Sequence, residues 1–300
     1  MVLCIAQFEA DPLPANLLTA WSFPVGPFIG LAVATLVYIR GWSAAHKSRP
    51  TELPSWRAAC FIAGILSLWI ALASPIDALD DYLLASHMIQ HFILMSVAPP
   101  LIALGAPTVP FLRGLPRFII RILSRPVFQA RWLRSTFHVV THPAFAWLAM
   151  NIAYLGWHVP MMFELTFRSE RIHDLEHVTF FLTSLVFWWV VLAPWPSRMP
   201  WQRWTMIPYL LSADILNTVL SGVLCFSGRV LYPTYAVAER VSSLTPLQDQ
   251  IAAGAEMWVL NSAVFLVPAV LIVMQLLSPR ALADQATLQR NIKRHPRVPA

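Results

Sequence analysis

Seven long apolar stretches constrain the fold of this chain more than any other feature. A helix needs about 20 apolar residues to cross the hydrocarbon core of a bilayer. Stretches of that kind run near residues 22–42, 57–74, 82–105, 143–160, 172–193, 204–226 and 251–277. Of the 300 residues, 57% are hydrophobic and only 12% charged, about half the charged share of an ordinary soluble protein. The expectation is an all-α integral membrane protein, a single domain of seven transmembrane helices. Pro99-Pro100 falls inside the third span, which is expected to kink there.

Lys and Arg set the direction. With the N-terminus outside, Arg40, Lys47, Arg49 and Arg57 fall inside, as do Arg113, Arg117, Arg121, Arg125, Arg131 and Arg134 after span three. Arg198, Arg203, Arg280, Arg290, Lys293, Arg294 and Arg297 join them, leaving only Arg168, Arg171, Arg229 and Arg240 outside. The outer loops carry acids instead, among them Asp77, Asp80, Asp81, Glu164, Glu170, Asp174 and Glu176. This threading puts the C-terminus and a basic tail, 279–300, in the cytoplasm, where the tail meets anionic lipid head groups. In a bacterium it makes the protein a multi-pass resident of the inner membrane, with periplasm outside.

The net charge of +6 is spread over short loops and one tail, which argues against nucleic acid as a partner. Cys4, Cys60 and Cys225 form neither a CxxC motif nor an even set, so neither a disulfide framework nor a thiol metal site is expected. No basic stretch precedes the first apolar run, so no cleaved signal peptide is expected.

Five of the nine histidines fall at the outer ends of these spans: His87, His91, His158, His173 and His177. His87, His91 and Met95 are spaced i, i+4, i+8 and share a helix face. His173 and His177 repeat that spacing, with Asp174 and Glu176 beside them, and His158 ends span four within Trp157-His-Val-Pro160. An imidazole beside hydrocarbon is costly and calls for a partner. Imidazole suits Cu, Zn, Fe and Ni, and thioether suits Cu(I), so a His and Met mixture facing an oxidising compartment favours copper. The carboxylates are candidate orienting partners for the rings.

The bland reading is that each ring is a polar residue near head groups. His138 and His142 show the same spacing on the inner side without a function to match, so it is co-location that carries the signal. Met88, Met95, Met161 and Met162 read as packing residues. Deeper, Asp214 starts a polar stripe with Asn217, Thr218 and Ser221 on span six, and Glu256 opens another with Asn261 and Ser262 on span seven. Asp214, Glu256 and Met95 are candidates to support the metal ligands from behind, as Asp174 and Glu176 are; the alternatives for the two acids are a proton path or adhesion between helices.

Ser86-His-Met-Ile-Gln-His91, running through Ala98-Pro-Pro-Leu101 to Leu104-Gly-Ala-Pro107, resembles the signature of the CtaG family of bacterial cytochrome c oxidase assembly factors. These multi-spanning proteins are associated with caa-type oxidases and are distinct from single-span copper chaperones that share the name. Trp157-His-Val-Pro160, the segment from His173 to His177, and Asp249-Gln250 with Gly254 and Met257-Trp258 are similar to further family motifs. The likeness extends from about Ser74 to Trp258; the charged Glu256 departs from it, standing where an apolar residue is expected. It implies a non-enzymatic protein needed to form an active terminal oxidase, supplying or positioning copper, with oxidase subunits or a copper chaperone as partners. Carried over, the motif histidines are His87, His91, His158, His173 and His177.

Three other readings stay open on the residues alone. A haem-binding redox protein would use facing imidazoles and need a wide cavity. A copper or proton transporter would use Asp214 and Glu256. A metal-dependent hydrolase would use three His with an open position, but no nucleophile motif accompanies them.

Overall fold

The computed structural model of the chain describes residues 20–121, 131–197 and 201–278. Cys4, Arg125, Arg198 and the basic tail lie outside the described residues. Those described are helical, with no strand among them. Thirteen α-helices are numbered here in chain order. They are α1 (Val25–Ser48), α2 (Ser55–Ala73), α3 (Pro75–Asp80), α4 (Leu84–Phe92), α5 (Ala98–Leu104), α6 (Thr108–Gly114), α7 (Arg131–Val140), α8 (Pro143–Trp157), α9 (Pro160–Thr166), α10 (Glu170–Leu192), α11 (Met206–Phe226), α12 (Pro233–Val237) and α13 (Pro246–Leu276).

Among the described residues, six helical segments are long and apolar enough to cross a membrane: α1, α2, the α4–α5 run from Leu84 to Leu104, α10, the run from Arg203 to Phe226, and α13. Large apolar side chains on their outer faces are exposed, among them Leu36, Ile215, Phe226 and Val259. Contiguous apolar surface of that kind belongs against lipid. The stretch expected as span four is α8, a helix of only 15 residues, roughly 22 Å long. It packs against α10 and α11.

Local chemistry explains where the helices begin. Pro75, Pro143, Pro160 and Pro246 all stand at first-turn positions, where a missing N–H costs nothing. Thr245 and Gln248 form a reciprocal capping box at the head of α13. That helix therefore starts earlier than the apolar pattern indicates, and Glu256 stands nearly three turns inside it instead of one.

The third span does not simply kink at its prolines. A π turn, Ile93–Val97, links α4 to α5 ahead of Pro99-Pro100. Pro99 has no N–H to offer the carbonyl of Met95 four residues back. The indole Nε1 of Trp188 on α10 donates to that carbonyl instead, at 3.1 Å. The sequence break and the inter-helix hydrogen bond are two halves of one solution.

The Asp77–Asp81 stretch, expected as an outer loop, contains α3, capped by the hydroxyl of Ser74. Gln90 on α4 donates to Asp77 Oδ1 and to the carbonyl of Ala71, tying α3 and α4 to the end of α2. The buried carboxylate of Asp249 on α13 accepts from the N–H groups of Leu84 and Ala85, at 2.8 and 3.3 Å. A negative group at a helix N-terminus satisfies orphan donors and complements the dipole. Together these contacts fix the end of the bundle that carries the histidines.

Candidate metal centre

All five expected histidines meet at that end. His87 and His91 come from the first two turns of α4, and His173 and His177 from the first two turns of α10. His158 stands at the C-terminus of α8. Ring centroids are 4.2 Å apart for His87–His91 and for His173–His177, 5.5 Å for His87–His173, and 5.6 Å for His91–His177. His158 adjoins the group at 6.1 Å from His91.

Two carboxylates complete the cluster. Glu176 Oε2 lies 3.9 Å from His87 Nε2 and 3.7 Å from His91 Nε2. Asp80 Oδ2 lies 3.8 Å from His173 Nε2. Three sets of donor atoms, each within 4.8 Å of one another, follow: Asp80, His87 and His173; His87, His91 and Glu176; His173, Glu176 and His177. Glu176 is fully buried, whereas the side chain of His173 keeps 26% of its exposure, so the cluster opens outward at His173.

Both ring nitrogens of His87 and of His91 are buried without a hydrogen-bond partner. The same holds for Nε2 of His158, His173 and His177 and for both oxygens of Glu176. A buried polar atom left unpaired costs about 1–3 kcal/mol. Their concentration at one place makes the cluster a candidate ligand site. Two donors bound to one Zn-like or Cu-like ion at about 2.0–2.1 Å sit up to about 4 Å apart, and the His–Glu separations fall at that limit. The residues present are of the types and at the spacing that could hold a metal ion.

The surroundings hold the donors in place. His158 Nδ1 lies 2.6 Å from the carbonyl of Tyr154; since a carbonyl only accepts, Nδ1 carries the proton and Nε2 presents its lone pair. Tyr232 donates to the carbonyl of His158 at 3.0 Å, and Tyr235 to that of Asp80 at 2.5 Å. Phe163 and Phe180 wall the rings of His87 and His91, with centroids at 5.1 and 4.7 Å. Burial, then the neighbouring carboxylates of Asp81 and Asp77, push the Asp80 carboxyl well above the usual carboxylate range. Burial likewise pushes Asp77 up to about 6, opposed by hydrogen bonds from Gln90 and Ser22.

The other sequence candidates fall elsewhere. Asp174 is exposed and belongs to none of the three donor sets. Met95 is buried below His91. Asp214 accepts from Ser262 at 2.7 Å on the α11–α13 interface. Glu256 is half-buried, with Oε2 unpartnered, and joins no donor set. Asp80 is the residue that sequence reasoning missed. Its signal was Ser74-Pro75 followed by Asp77, a helix-start signature, which turns an apparent loop into a helix with a buried face.

Fold and site together define a multi-span helical membrane protein with a buried imidazole–carboxylate cluster at one end of its bundle. The sequence matches the cytochrome c oxidase caa3 assembly factors over residues 36–278, and the chain belongs to that family. An assembly-factor family implies a non-catalytic role.

The chain is also similar to uncharacterised proteins of Mycobacterium bovis and Mycobacterium tuberculosis, each 24% identical over 299 residues. One of Mycobacterium leprae is 23% identical over 294 residues. The alignments take in 95% of this chain and 43% of the first two relatives, and 93% and 42% for the third. The chain thus spans less than half the length of these curated relatives. No solved structure matches it.

Proposed function

We propose that this assembly factor handles copper for the oxidase at its outer face, and that the ligands are drawn from His87, His91, His158, His173 and His177. Glu176 and Asp80 supply the compensating negative charge. The observation that carries this reading is the convergence of buried, unpartnered imidazole nitrogens and Glu176 oxygens from three helices, with Asp80 of a fourth beside them. Copper is then cargo. The chain's own work is to present deprotonated rings in fixed tautomers, as at His158, and to exclude competing water behind Phe163 and Phe180.

A bare ion suits the geometry better than haem. The space beside His91 and His158 is no larger than one water or one ion needs, and Phe163 and Phe180 pack against the rings of His87 and His91. For a transporter, Asp214 is engaged with Ser262 instead of facing the cluster.

In this reading α8 is the seventh crossing. The N-terminus then lies outside and the C-terminus inside the bacterial inner membrane, in keeping with the Lys and Arg distribution. The whole chain forms one transmembrane domain, and its basic tail contacts lipid. Partners reach the cluster from the periplasm: an oxidase subunit receiving the ion, or a copper chaperone giving it.

The test is copper content of the purified full chain against the variant carrying His87→Ala and His91→Ala. Loss of bound copper in a variant that remains folded is expected; equal stoichiometry would overturn the proposal. Labelling of single cysteines introduced at Arg168 and Lys47 by an impermeant reagent tests the threading, with reaction from outside expected at 168 alone.

A further inference from the structure

Behind the outer cluster, on the side of His91 away from His87 in sequence, lies a small cavity. Met88, Met95, Met257, His91, His158 and Asn261 are among the residues that line it, and it has roughly the room one water or one ion needs. The three methionines are buried, at 1%, 7% and 3% exposure. They come from α4, the π turn and α13, so no single helix stripe accounts for their meeting. The Asn261 amide is already engaged, accepting from Ser96 and donating to Asn217. The two imidazoles that line it are unsatisfied: both nitrogens of His91 and Nε2 of His158 are buried without a partner.

We infer that this cavity is a second metal site, distinct in chemistry from the outer cluster, which binds Cu(I) through thioether sulfur together with His91 or His158. The inference rests on the copper reading of the outer cluster and assigns the oxidation state that the inner end takes. Two arguments select the ion. Thioether with imidazole is a soft donor set that favours Cu(I) over divalent ions. No carboxylate lines the cavity, so every donor there is neutral, and a divalent ion would bring two uncompensated charges into a buried, low-dielectric place where a monovalent ion brings one.

Donor type therefore changes with depth. At the outward opening, His173 stands with Asp80; next come His87, His91 and His177 around Glu176; innermost, His91 and His158 stand with methionines. His91 belongs to both the outer and the inner set. The π turn holds Met95 at the inner end, its carbonyl secured by Trp188. Single π turns within helices recur at functional sites. No electron transfer by this protein is involved: the ion is supplied as Cu(I).

The experiment uses the detergent-purified full chain, loaded anaerobically with Cu(I) from a competing chelator, and, in parallel, with Co(II) as a divalent probe. X-ray absorption at the copper edge is expected to show sulfur among the ligands. Selenomethionine labelling is expected to replace part of that sulfur signal with selenium, a readout that needs no variant to fold. Met88→Leu and Met257→Leu together are expected to weaken Cu(I) at least tenfold while Co(II) affinity stays within twofold. A copper shell of nitrogen and oxygen only, in unlabelled and labelled protein alike, overturns the inner site. Failure of the outer reading looks different: Co(II) binding indifferent to Glu176→Gln, with sulfur still seen on Cu(I).

Discussion

The outer end of the bundle and its middle both bury polar side chains, yet they treat them in opposite ways. In the middle the donors and acceptors of the main polar groups find each other. Tyr154 donates to Asn217 Oδ1 at 2.8 Å, Asn261 donates to the same oxygen at 3.3 Å, and Ser96 donates to Asn261 at 2.6 Å. Asn217 in turn donates to the carbonyl of Met257 at 3.3 Å. This is helix-to-helix adhesion of the kind a bilayer rewards. At the outer end six ionisable side chains, five imidazoles and Glu176, meet and leave ring nitrogens or carboxylate oxygens unpaired. The same physical cost is cancelled among these amides and hydroxyls, with single atoms such as Ser184 Oγ and Ser221 Oγ left over, and is concentrated at the outer end. The proposed metal is what would cancel it there.

The contrast is sharpest for the paired substitution His87→Ala with His91→Ala. Copper binding by the outer cluster is expected to be lost altogether, while the bundle persists, because the removed rings hold no hydrogen bonds in the metal-free protein. Metal analysis beside a thermal melt reads both halves. A variant that loses the fold along with the metal would place these rings with the structural groups of the middle.

Glu176→Gln is expected to weaken metal binding by about 10–100-fold, about 1.4–2.7 kcal/mol. The metal-free protein should be no less stable than the wild type, since an unpaired buried carboxylate is replaced by a neutral group. Asn217→Ala should do the reverse. It strands the hydroxyl of Tyr154 and the amide of Asn261, at an expected cost of about 1–2 kcal/mol in stability. Copper stoichiometry should not change. Equal loss of stability in the two variants would erase the distinction between the regions.

Asp80→Asn is expected to have a smaller effect, an affinity loss of about tenfold at most, because Asp80 stands at the half-open rim beside His173 and belongs to only one of the three donor sets. Isothermal titration of the divalent ion reads it. An unchanged affinity would move the rim of the site inward to Glu176.

Most of the fold and much of the candidate site were legible in the chain, and the exceptions have physical causes. The apolar stretches became helices close to their expected places, and i, i+4 spacing put each histidine pair on one face, which needs only local geometry. What the spacing could not reveal is contact over distance. Asp249 caps α4 from 165 residues away, and nothing near Leu84 announces it. Met257 meets Met88 and Met95 only because α13 packs on α4. The π turn arises from a contest between Pro99 and a tryptophan on another helix, so its existence is a tertiary fact. Asp80 was hidden for a different reason: three acids within five residues look like a solvated loop, although Ser74-Pro75 already signals a helix start.

The smallest expected effect is also the cleanest reading of local geometry. Asp174 and Glu176 flank the same histidines in sequence and look equally fit to assist them. Helical rotation of about 100° per residue separates them. Glu176 follows His173 by three positions and precedes His177 by one, on the side that faces α4, where it lies within 4 Å of His87 and His91. Asp174 follows His173 by one position and points away, exposed. An exposed carboxylate beside a metal site acts only through screened Coulomb attraction, worth well under about 1 kcal/mol. Asp174→Asn should therefore leave metal affinity within about twofold at moderate ionic strength. A loss matching that of Glu176→Gln would mean that α10 presents a different face to the cluster, and with it that the donor sets built on Glu176 are misassigned.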